Sequence, residues 1–74
     1  MIKLDYSTMR TRAINAGSHF FERSTTRFFK DVRKWATYDK ETDTNYIKVR
    51  KANGEVVVYK FYPETNDLVV THRE

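Results

Sequence analysis

Cysteine is absent from the 74 residues, which excludes a disulfide framework and a thiolate zinc site and suits a reducing cytoplasm. Histidine occurs only as His19 and His72, too few for a histidine-based metal centre, so no metal and no cofactor are expected. Glycine and proline are reduced to Gly17, Gly54 and Pro63, and no segment is of low complexity. No apolar run approaches the roughly 20 residues that span a bilayer, and the N-terminus lacks the apolar core of a signal peptide. A soluble, cytoplasmic chain with no membrane partner is the expectation.

What the chain has in quantity is aromatic side chains: Phe and Tyr occur five times each, with Trp35 besides. Each can bury on the order of 150 to 250 Å², which offsets a small residue count. At this length a linker would leave neither side enough residues for a core, so residues 1–74 read as a single domain. The net charge of +4 is unevenly spread. Residues 1–35 carry eight Lys/Arg against three Asp/Glu, and residues 36–74 carry six against seven. The basic first half favours an anionic partner, nucleic acid or an acidic protein surface, although solubility alone would account for this much charge.

Asp5 to Gly17 predicts a helix capped by Asp5 or Ser7, with Met9, Ala13 and Ala16 at spacings of three and four and Gly17 as its left-handed terminator. After a connector over 18–23 holding Phe20 and Phe21, Ser24 reads as a second N-cap. Phe28, Phe29, Val32, Trp35 and Ala36 then predict a helix from Thr25 to Thr37. A break near Lys30 and Asp31 would instead make Val32 to Tyr38 a strand, but no Gly or Pro marks one.

Beyond Asn45 the period becomes two. Tyr46 to Lys51 and Val56 to Tyr62 flank Asn53-Gly54, a hairpin signal whose type I′ turn would set Val49 opposite Val58, Lys48 opposite Tyr59 and Tyr46 opposite Phe61. Pro63-Glu64-Thr65-Asn66 forms the next turn, with Asn66 left-handed, before a last strand over Asp67 to His72. The predicted fold class is α+β, two N-terminal helices packed on a three-stranded antiparallel meander (ααβββ). Ile47, Val49, Val56 and Val58 form the expected core face. A four-residue second turn would add Leu68 and Val70 to the face of Tyr59 and Phe61, engaging both sides of the middle strand.

Two surfaces stand out as candidate binding sites. In that register Tyr46, Lys48, Arg50, Tyr59 and Phe61 share a face. Aromatics there would anchor a protein partner or stack bases while the cations track phosphates; equally, the rings would complete a small core under the Lys and Arg stems. The second surface is basic: Arg23, Arg27, Lys30 and Lys34, with Arg33 beside them, form a helical stripe suited to a phosphate backbone or to solvent. Two helices before a hairpin would also permit a winged helix-turn-helix, though residues 18–24 make an unusual turn.

No catalytic residue is assigned, and the chain is read as a non-enzyme. His19 has Ser18, Glu22 and Ser24 nearby in sequence but no oriented base and third group. Gly17-Ser18-His19 is similar to the Gly-Ser-His of small toxin ribonucleases, without the strand pair that follows it there. Asp39, Glu41 and Asp43 alternate as a calcium loop begins, but the Gly and closing Glu are missing.

The blocks His19-Phe20-Phe21, Ser24-Thr25-Thr26-Arg27-Phe28-Phe29 and Tyr59 to Leu68 resemble a family of short uncharacterised bacteriophage and prophage proteins with an HFFxxSTxRFF block and a PETGD-type turn. Asn66 stands where that turn usually has Gly, and the stretch after Phe29 lacks the expected glycines. The resemblance implies a phage-type accessory protein that binds and inhibits a host protein complex, such as a defence nuclease of the CRISPR type. A nucleic-acid-binding phage factor is the alternative, and a toxin-type ribonuclease a third possibility.

Overall fold

The computed structural model describes residues 2–17, 33–51 and 53–74. It is an α+β fold in which helix α1 (Tyr6–Asn15) precedes strands β1 (Arg33–Asp39), β2 (Thr44–Arg50), β3 (Val56–Tyr62) and β4 (Asp67–Arg73). The strands form one antiparallel sheet in the order β1-β2-β3-β4.

α1 forms as its sequence directs. The Asp5 carboxylate accepts the Thr8 N–H at 2.7 Å, satisfying one of the free donors of the first turn. Gly17, at φ +94°, ends the helix in a conformation that costs a residue without Cβ nothing. Met9 and Ala13 are its buried positions, while Ala16 is exposed.

The expectation of a helix over Thr25 to Thr37 does not hold for its described part, because Arg33 to Asp39 is a strand paired with β2 along its whole length. Its remainder, residues 25–32, lies outside the described residues, as does the connector. The fold therefore has a fourth strand where a three-stranded meander was expected. Trp35 and Ala36 fit a helical period, whereas an extended pattern over 33–39 shows no clean alternation, since polar and apolar residues fall on both faces. Pairing with β2 satisfies the backbone groups of this segment and decides between the two patterns.

The hairpin register also differs from expectation. Lys51 N–H donates to the Glu55 carbonyl at 2.8 Å and Gly54 N–H to the Lys51 carbonyl at 2.9 Å, so three residues of sequence, not two, lie between the paired Lys51 and Glu55. Gly54 takes the positive φ, +90°, and Asn53 does not; its side chain instead accepts the Glu55 N–H at 2.9 Å. This is the β-turn plus left-handed residue that closes a three-residue hairpin, rather than a type I′ pair. Val49 consequently opposes Val57, Lys48 opposes Val58, and Ile47 opposes Tyr59. One residue of slip exchanges the faces of β3 relative to β2.

The first face of the sheet accordingly carries Ile47, Val49, Val57, Tyr59 and Phe61, which with Met9 of α1 form the core; Leu4, Tyr6, Ala36 and Leu68 pack around them. Val56 and Val58 belong to the opposite face yet are also buried, so both sides of β3 are engaged. The 63–66 turn has the four residues expected, with Asn66 at φ +61°, and it sets Leu68 opposite Phe61 and Val70 opposite Tyr59. β4 carries a bulge at Thr71, which is skipped between the Tyr59–Val70 and Val58–His72 pairs. No helix among the described residues is long and apolar enough to cross a membrane.

Candidate functional site

The register splits the aromatic-cationic set expected on one face. Tyr59 and Phe61 lie in the core, 7% and 2% exposed, whereas Tyr46, Lys48 and Arg50 project from the other side of the sheet. Tyr59 and Phe61 are therefore removed from the contact surface. Of the basic set, Arg33 and Lys34 are neighbours in β1 and not on a helix, and successive strand residues point to opposite faces. Arg23, Arg27 and Lys30 lie outside the described residues, as does His19.

In place of the expected set, the second face is built in rows that run across the sheet. Trp35, Lys48, Val58 and His72 form one row, and Thr37, Tyr46, Lys60 and Val69 the next. Arg33 and Arg50 face each other beside Val56 at one end. Asp39, paired with Thr44, and Asp67, paired with Tyr62, carry negative charge at the other. Two cations lie over rings on this face, the Arg33 guanidinium 5.2 Å from the Trp35 ring centre and the Lys60 ammonium 5.0 Å from that of Tyr62.

At the centre, Thr37, Tyr38, Asp39, Tyr46, Lys48 and His72 surround a concavity of about 190 Å³ with Val58 and Glu74. Lys48 Nζ donates to both Glu74 oxygens, at 3.3 and 3.1 Å. His72 Nδ1 is 2.9 Å from Thr71 Oγ1, and its Nε2 lies 3.9 Å from Glu74.

Of the alternating acids, Asp39 ends β1, and Glu41 and Asp43 lie in the turn that leads to β2. Asp39 accepts the Glu41 N–H at 3.0 Å, and the Tyr38 hydroxyl donates to Asp43 at 2.5 Å. That bond holds the Asp43 carboxyl below its ordinary range and pushes the Tyr38 phenol up. Asp43 sits at φ +52°, which its short side chain tolerates. Among the described residues no group of three or more His, Cys, Asp or Glu is placed to hold a metal ion.

Trp35, Lys60, Tyr62, His72 and Glu74 escaped the sequence reading of this face. The alternative strand over Val32 to Tyr38 was the signal for Trp35. The others depend on the hairpin register, which the Asn53-Gly54 dipeptide alone does not fix. No protein-family model, curated protein or solved structure matches the chain.

Proposed function

We propose that the chain acts by binding, as a phage-type accessory protein whose second sheet face docks on a host protein complex and inhibits it, a defence nuclease being the leading kind of target. The observation that carries this reading is the direct opposition of Arg33 and Arg50 across β1 and β2. Like charges placed opposite each other weaken a sheet, and an acidic group from a partner would turn that repulsion into attraction. Trp35 in the next row and Tyr46 in the row beyond it supply the aromatic contact that anchors protein interfaces. Asp39 and Asp67 at the far end give the face both signs of charge, which matches a protein surface better than a uniform polyanion. The phage context comes only from the resemblance carried by the 19–29 block and the Tyr59 to Leu68 stretch.

A tagged chain incubated with host lysate should retain a protein in stoichiometric amount, and Arg50→Glu should release it. Recovery of nothing by the folded protein, or equal recovery by Arg50→Glu, counts against the reading.

A second reading, nucleic-acid binding, draws on the cations over Trp35 and Tyr62, since rings and cations interleaved on a sheet also suit single strands. It predicts affinity that collapses between about 50 and 200 mM salt. Unchanged mobility of labelled DNA and RNA at low salt eliminates it.

A further inference from the structure

The concavity over Val58 contains a cation, a carboxylate and an imidazole drawn from two strands and the residue that follows β4. Lys48 stands between Trp35 on β1 and Val58 on β3, and its side chain is 26% exposed. Its stem lies among apolar groups, and its ammonium is served by Glu74. Glu74 is anchored through its backbone, whose N–H donates to the Val56 carbonyl at 2.7 Å, while its own side chain is 45% exposed. The pocket thus receives a carboxylate that reaches it from the solvent side and is not itself enclosed.

We propose that this concavity is the recognition pocket for a glutamate or aspartate side chain of the protein partner, and that Glu74 occupies the partner carboxylate's place in the free chain. The inference rests on the reading of the second face as a protein-docking surface and names the chemistry it selects. An incoming carboxylate would take over the two Lys48 contacts, lie within reach of the His72 ring, and set its aliphatic stem against the half-buried Tyr46 ring, with the buried Val58 as the floor beneath. The titratable side chains facing the site from the strands around it are Asp39, Tyr46, Lys48, His72 and Glu74, while Tyr38, paired with Asn45, turns its ring to the other face. With Asp39 and the displaced Glu74 on its rim, the pocket admits one carboxylate on an otherwise neutral segment and repels a chain charged at every step.

Glu74 is an easy occupant to displace, because an exposed ion pair of this type favours the closed form by no more than about fivefold. Removing it should therefore raise the affinity for an outside carboxylate by about two- to fivefold.

The test is an NMR titration of the full chain with the blocked peptide Gly-Gly-Glu-Gly-Gly, its Gly-Gly-Gln-Gly-Gly counterpart and inorganic phosphate. The glutamate peptide should shift the Val58 methyl, Lys48 and His72 ring signals, and the glutamine peptide should not. Glu74→Gln should tighten the glutamate peptide by the factor above. Lys48→Gln should abolish the response while the Met9 and Val57 methyl signals, which report the fold, stay in place. Equal shifts from both peptides, an affinity unmoved by Glu74→Gln, or a stronger response to phosphate at these residues would overturn the proposal. Binding of the glutamate peptide without capture of any host protein would keep the pocket and discard the docking reading. A captured host protein that holds Lys48→Gln as tightly as the wild type would do the reverse.

Discussion

The side-chain amide of Asn45 holds the backbone of Leu4, accepting its N–H at 2.8 Å, while the same amide donates to the Ile2 carbonyl at 3.2 Å. Asn45 is 2% exposed and is the only buried polar residue among those described. It thereby stitches the segment before α1 to β2, much as a neighbouring strand would. Replacing Asn45 by Ala strands the Leu4 donor, and a buried donor left without a partner costs about 1–3 kcal/mol. Urea denaturation should show that loss with an unchanged m value.

Phe61 and Tyr46 are both aromatic and both on the central hairpin, yet the two should respond oppositely to truncation. Phe61→Ala empties a fully buried site against Met9 and should cost about 3–5 kcal/mol. Tyr46→Ala, on the second face and half-buried, should cost about 1 kcal/mol or less while it weakens capture of the partner. Thermal melts paired with lysate capture separate the two effects.

Gly54 turns the central hairpin at φ +90°, with no atom within 4 Å of where a Cβ would stand. Gly54→Ala therefore meets no clash, and its whole effect is backbone strain of about 1–2 kcal/mol. Gly54→Asn should recover part of it, because Asn tolerates the left-handed region. Equal stability of the Ala and Gly chains in chemical denaturation would mean that the turn does not need this conformation.

Glu55 accepts from Lys51 and from Arg73, the latter at 2.7 Å, and these two contacts hold its carboxyl below the ordinary range. The Asp5 cap is lowered by its bond to Thr8. A carboxyl whose folded value is depressed contributes stability that is present above its unfolded value and lost as pH falls through the folded one. Stability should therefore decline from about pH 4.5 downward. Glu55→Gln and Asp5→Asn should each flatten that decline. An acid limb unchanged in both variants would show that these contacts do not persist in solution.

Much of the architecture was legible in the residues. The Asp5 cap, the Met9 and Ala13 stripe and the Gly17 stop define α1 by local chemistry, and Asn66 announces the 63–66 turn in the same way. What the residues left ambiguous was decided by pairing. Trp35 and Ala36 fit a helical pattern, and only β2, which lies farther along the chain, selects the strand. Asn53-Gly54 announces a hairpin but admits loops of two or three residues, which put opposite faces of β3 toward α1. The candidate site inherited that ambiguity: Tyr46, Lys48 and Arg50 keep their place on a common face, while Tyr59 and Phe61 exchange it for Val58 and Lys60.

The account depends most on the face that the central hairpin turns toward α1. Nuclear Overhauser contacts of the Met9 methyl group measure it directly. Contacts to the rings of Tyr59 and Phe61, with Val49 opposite Val57, are the predicted result. Contacts from Met9 to Val56 and Val58, with Val49 opposite Val58, would contradict it and would return the aromatic residues of β3 to the outer surface.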